Sequence, residues 1–202
     1  MRKDLIMNEK IRSSFFSCPD DMRIILEKLF VESKPYSDKL KRLLLINNPD
    51  CLDMSNTKYQ EYIDTFLVSD LIQQGYVRLS PKIARGTHEE IKSYMLVSFD
   101  NFAPNKVSPR FLDYTIHFDI ICYNDAWVLN NLAVRPLVIC GYIDGILNAM
   151  TDKNKALWND NQSKIKLTGI GEYRCLGCNE VVLNEDLSMY SLTYRGEHFV
   201  KA

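Results

Sequence analysis

The sequence predicts an α+β protein in which a mixed, mainly antiparallel sheet packs against one or two helices and carries an N-terminal helical extension. Three observations lead there. Apolar residues recur at helical spacing through the first 75 residues, the period falls to two after Gly75, and one further helical stretch opens at Arg135 among the strands. The handover near Gly75 divides the chain into a helical region, 1–75, and an α+β core domain, 76–202.

Pro19 with Asp20 and Asp21 suits a helix start, since proline tolerates the first turn and acids favour the positive end of the macrodipole. Met22, Ile25, Leu26, Leu29 and Phe30 then share one stripe. Ser37 is placed to cap a second helix that turns Leu40, Leu43 and Leu44 inward and stops at Asn47-Asn48-Pro49. A third helix is expected from Thr57 to Gly75, with Tyr59, Tyr62, Ile63, Phe66, Leu67 and Leu71 on its buried side and Gly75 closing it.

Strands are expected at Tyr76–Leu79 and Ile91–Phe99, the second apolar on both faces and therefore central. The polar, proline-broken stretch from Asp100 to Pro109 reads as a loop or the tip of a long hairpin. From Asp113 to Cys122 alternation is clean: Tyr114, Ile116, Phe118, Ile120 and Cys122 face one way, and Asp113, Thr115, His117 and Asp119 the other. Arg135-Pro136 opens a helix through Met150 that buries Ile139, Ile143, Ile146, Leu147 and Met150, with Gly141 and Gly145 pointing to close backbone packing. Short strands follow at 164–168, 172–175, 181–183 and 187–194, with a turn at Leu176-Gly177.

Charge and composition narrow the function. The 202 residues hold 25 Lys plus Arg against 26 Asp plus Glu, scattered rather than blocked, so no global field draws the protein onto phosphate. No run of about 18 apolar residues exists, and the amino terminus becomes charged too early for a signal core, so neither a membrane partner nor export is expected. The six cysteines, spread through a chain large enough to fold without staples, read as reduced thiols, most of them buried.

Chemistry-bearing motifs occur in the chain only as fragments. Cys175-Leu-Gly-Cys178 has the spacing of half a structural zinc site, but no second half stands at ligand spacing, and the pair is expected in a turn. His117 and Asp119 are neighbours on the polar face of a strand, where they could form an acid–base pair, yet no nucleophile is placed beside them and a solvent- or subunit-facing row is the stronger reading. His88 sits in a polar loop and His198 in a frayed tail. Gly169-Ile-Gly171 lacks the rest of a dinucleotide loop. Asp100, Asp113, Asp119 and Glu172 are raw material for a metal nuclease, though no spacing singles them out. No cofactor or metal is expected, and the chain is not expected to be an enzyme. A metal-dependent nucleic-acid-processing enzyme, and a small adaptor bearing zinc at Cys175 and Cys178, are the alternatives.

The stretch Asp-Tyr-Thr-Ile-His-Phe-Asp-Ile-Ile-Cys, from Asp113, and Val-Arg-Pro-Leu-Val-Ile-Cys-Gly-Tyr-Ile-Asp-Gly-Ile-Leu, from Val134, resemble the tail-terminator, or tail-completion, proteins of tailed bacteriophages. There an outward-and-back strand pair precedes an Arg-led helix with an Ile-Asp pair, here Arg135 and Ile143-Asp144, and Leu187–Tyr194 resembles the closing strand. The resemblance covers about half the chain. The helical first third is longer than compact members carry, and the family's extended hairpin would correspond to the Asp100–Pro109 stretch.

The resemblance implies a virion protein of the neck, assembled in the host cytoplasm. It would form a ring of like subunits, a homohexamer, that ends the tail tube and meets a head-side connector or stopper protein, with DNA only as passing cargo. The mechanism would be geometric, a heterologous contact repeated around a closing rotation. Arg110, His117 and Asp119 are the polar positions on or beside strands where subunits would meet.

Overall fold

The computed structural model describes residues 18–53, 55–79, 93–106, 111–148 and 173–199. Helices come first: α1 (Cys18–Glu27), running into a π-helical turn at Lys28–Glu32, then α2 (Tyr36–Leu45), α3 (Thr57–Asp64) and α4 (Val68–Gln73). The strands β1 (Val77–Arg78), β2 (Ser93–Pro104) and β3 (Phe111–Tyr123) follow, then α5 (Arg135–Asn148), β4 (Arg174–Val182) and β5 (Leu187–Phe199). The fold is α+β, as the periodicity requires. Among the described residues no helix is long and apolar enough to cross a membrane.

The five strands form one sheet in the order β1-β2-β3-β5-β4, with β1 parallel to β2 and every other pair antiparallel. β3 is its centre, paired along its length with β2 and β5. Alternation along β3 appears as expected: Tyr114, Ile116, Phe118, Ile120 and Cys122 are all buried, while Asp113, Thr115, His117 and Asp119 are half-exposed. The buried set faces α2 and α5, and one continuous apolar cluster runs from Ile25 and Leu29 through Leu40, Leu43 and Leu44 to Phe118, Ile139, Ile143 and Tyr194. A smaller cluster of Tyr94, Leu96, Ile121, Tyr123 and Leu187 accounts for the apolar residues of β2 that alternation assigns to its other face.

Several local expectations are corrected. Ser37 does not cap α2; it lies inside the helix, and its hydroxyl accepts a hydrogen bond from the Ser33 backbone N–H at 3.1 Å. The helix expected from Thr57 to Gly75 is two helices. Asp70 is the reason: its carboxylate accepts the Leu67 backbone N–H at 2.8 Å, which starts α4 afresh and leaves Leu67 extended. The break turns Tyr62 and Leu67 outward, both expected inside, while Ile63, Phe66 and Leu71 stay buried. Gly75, at φ +76°, ends α4 as expected.

Gly141 and Gly145 do not mark close packing, since a Cβ at either would meet nothing within 4 Å. Asp100–Pro104 belongs to β2, which passes a bulge between Asp100 and Ala103 with Asn101 at φ 53°. Cys175 to Cys178 is not a turn either: it lies within β4, where a register shift between Cys175 and Gly177 absorbs one extra residue. His198, expected in a frayed tail, is paired with Leu112 in the β3–β5 ladder. Arg110, His88, Met150, Glu172 and the strand expected at 164–168 lie outside the described residues.

Candidate functional site

One face of the sheet carries α2 and α5, and on the other the half-exposed residues of β3 meet polar partners from β2 and β5. Antiparallel register decides who meets whom. His117 stands opposite Ser98 on β2 and Thr193 on β5; Thr115 opposite Asp100 and Arg195; Asp119 opposite Ser191.

Hydrogen bonds join these residues into a row. His117 Nε2 lies 3.1 Å from Asp100 Oδ2, and His117 Nδ1 lies 3.3 Å from Thr193 Oγ1. A neutral imidazole satisfies both when Nε2–H donates to the carboxylate and the threonine hydroxyl donates to Nδ1. Asp119 Oδ1 accepts from Ser191 Oγ at 2.6 Å. Toward the hairpin tip, Asp113 accepts from Arg195 Nη2 at 2.5 Å and from Asn105 Nδ2 at 2.8 Å, and Asn101 Nδ2 donates to Asp100 Oδ1 at 2.8 Å.

Of the three residues singled out as subunit contacts, the fold places His117 and Asp119 on this one face, held by different partners, and Arg110 falls outside the described residues. Thr193, Ser191 and Arg195 were invisible as partners beforehand, because they come from a strand more than 70 residues away. Alternation gave the face. Only the β3–β5 register could give the neighbours.

The row has the atoms of an acid, an imidazole and a hydroxyl, but its geometry is that of a surface. His117 and Asp100 keep 26% and 52% of their side-chain area exposed, so water screens the pair and little is gained by activating Thr193. Asp113 and Asp119 are six residues apart on one strand, roughly 20 Å at the rise of an extended chain, and cannot share one metal ion. Among the described residues no three His, Cys, Asp or Glu side chains are grouped to hold a metal ion. Asp100, Asp113 and Asp119 stand on this face with Arg195 and, opposite it on β4, Arg174, so the charges are mixed and no strong field of one sign is built up.

Beneath the sheet lies a socket that no sequence motif announces. Arg135, at the start of α5, is fully buried. Its Nε donates to Ala126 O at 2.6 Å, Nη1 to Leu43 O and Ile46 O at 2.9 and 2.7 Å, and Nη2 to Asn47 O and Asn48 O at 2.7 and 2.9 Å. Five N–H groups meet five carbonyls. Those of Leu43 and Ile46 lie at the C-terminal end of α2, where the macrodipole is negative, so the buried charge is stabilised without a carboxylate. Cys51, also buried, contacts the guanidinium, and its thiol is nonetheless pushed up, first by burial. Further along α5, Asp144 accepts a hydrogen bond from the Tyr194 hydroxyl, tying the helix to β5. Burial and then that carboxylate hold Tyr194 in its neutral form.

The architecture is an α+β one, a helix-backed sheet whose other face carries a half-exposed, hydrogen-bonded polar row beside a small buried cluster. A family model described as YomW matches residues 37–195, from α2 through β5, and includes both the Arg135 socket and the polar row. The chain belongs to the YomW family, which is phage-derived, and the protein is accordingly phage-associated. Neither curated proteins nor solved structures give a match.

Proposed function

We propose that the protein is a structural component of the phage particle, a ring at the neck that ends the tail tube and joins tail to head. The observation that supports this reading best is the polar row on the open face of the sheet. Its side chains are already fixed by hydrogen bonds on an antiparallel ladder, so docking a neighbour against them costs little side-chain entropy. The mixed charge of this face offers no strong cationic field to phosphate, which suits a wall past which DNA slides.

In this reading the subunits form a homohexamer through Arg110, His117 and Asp119, with the tail tube protein on one side and a head-side connector or stopper on the other. DNA passes through as cargo, and the site of action is the virion neck after assembly in the host cytoplasm. Membership of a phage-derived family and the resemblance of Asp113–Met150 to tail terminators are the further support.

Electron microscopy of the protein mixed with purified tail tubes tests it. A ring seated at a single end of each tube is the expected result. Bare tubes, or tubes with the protein bound along their length instead of at one end, would overturn the neck assignment.

A further inference from the structure

The bulge in β4 changes which way its cysteines point. In a regular strand, residues three apart face opposite sides. Here Leu176 is the extra residue, so Cys175 stands opposite Tyr194 and Cys178 opposite Leu192, while Gly177 and Asn179 stand opposite Thr193 and Ser191 of the open face. Tyr194 and Leu192 are buried on the helix-backed side. Cys175 and Cys178 therefore share the side that faces α5, which packs against β4, and there the thiols of Cys140 and Cys178 interact. Cys140 is 5% exposed and Cys178 is exposed. The two thiols meet across the joint between a helix and an edge strand, one accessible to small reagents and the other shielded from them.

We propose that Cys140 and Cys178 are a thiol pair that closes reversibly into a disulfide, with Cys178 as the entry point for a small disulfide oxidant such as oxidised glutathione. The Cys178 thiolate, its proton given to water, attacks one sulfur of the oxidant, forming a mixed disulfide and expelling one glutathione thiolate. Cys140 then attacks the Cys178 sulfur, its proton passing to the second departing glutathione. Two protein thiols are oxidised and one glutathione disulfide is reduced to two thiols. Access sets the order: Cys178 is exposed and meets the oxidant first, whereas Cys140 is 5% exposed and burial pushes its thiol up, so it stays protonated until the second step.

The bond would fasten the edge strand to α5. Full-length protein is incubated with oxidised glutathione and digested without reduction, and the peptides are identified by mass. The expected product is a peptide pair joined through Cys140 and Cys178, about 2 Da lighter than the sum of its reduced parts and reversed by dithiothreitol. It should persist in Cys175→Ser and vanish in Cys178→Ser, an exposed change that leaves the core intact. A Cys175–Cys178 link in place of it, or glutathione adducts that never resolve into an intrachain bond, would overturn the proposal. The outcome is independent of whether the protein forms a ring.

Discussion

Arg135 Nη1 lies 2.7 Å from the carbonyl oxygen of Ile46, the residue that caps the end of α2, and through this pair, 89 residues apart in sequence, α2 and α5 share one polar joint. Removing the guanidinium would leave the buried carbonyls of Ala126, Leu43 and Ile46 without its donors, while those of Asn47 and Asn48 lie nearer water and Asn48 O also accepts the Cys51 backbone N–H. Arg135→Met is expected to cost on the order of 4 kcal/mol or more, and Arg135→Lys about 2, since an ammonium keeps the charge but offers three donors without the planar fork. Urea unfolding of the three proteins should rank them in that order.

Lys28 is buried in the π-helical turn, and desolvation lowers its amine to about 8, with Glu32 opposing the shift weakly. The unfolded chain holds this proton up to about pH 10.5, the folded chain only to about 8. Between those values the unfolded state binds more protons, so this group makes stability rise with pH, and below pH 8 its burial penalty is present in full. Lys28→Met should stabilise the protein at pH 7 by on the order of 2 kcal/mol, with the gain shrinking toward pH 10. Denaturant midpoints of both proteins at pH 7 and 9.5 check the sign.

Gly196 faces Tyr114 across the β3–β5 ladder, and a Cβ there would lie 2.7 Å from the ring. Tyr114 is 2% exposed and packs edge-on against Phe99, so it has little room to yield. Gly196→Val is expected to destabilise by about 1–3 kcal/mol. The double variant Gly196→Val with Tyr114→Ala should cost less than the sum of the two single changes, which thermal melts would show.

Charge reversal of the proposed contact residues separates assembly from folding. Arg110→Glu, His117→Glu and Asp119→Lys, made together, should abolish ring formation on tail tubes. Because His117 and Asp119 are half-exposed, the melting temperature should change little. A ring that survives all three changes would remove these residues from the interface.

What the sequence disclosed followed from periodicity. β3 was legible because one strand with one wet face must alternate, and α5 because Ile139, Ile143, Ile146 and Leu147 repeat at helical spacing. The breaks were not legible, because each depends on a single hydrogen bond or an inserted residue: Asp70 splitting one expected helix, and Leu176 bulging a strand that looked like a turn. Half of the candidate site was readable for the same reason. His117 and Asp119 lie on a periodic strand, whereas Thr193 reaches His117 only through a pairing 76 residues distant.

That pairing bears on how the protein is made. Although β4 precedes β5 in the chain, β5 takes the inner place in the sheet, between β3 and β4. While the chain emerges from the ribosome, the β2–β3 hairpin can form early, but β3 must wait with one edge unpaired until β5 arrives, and β4 has no neighbour until the same moment. The sheet thus closes in one late, concerted step, and an arrested nascent chain ending before Leu187 would carry an open central strand ready to pair with another molecule.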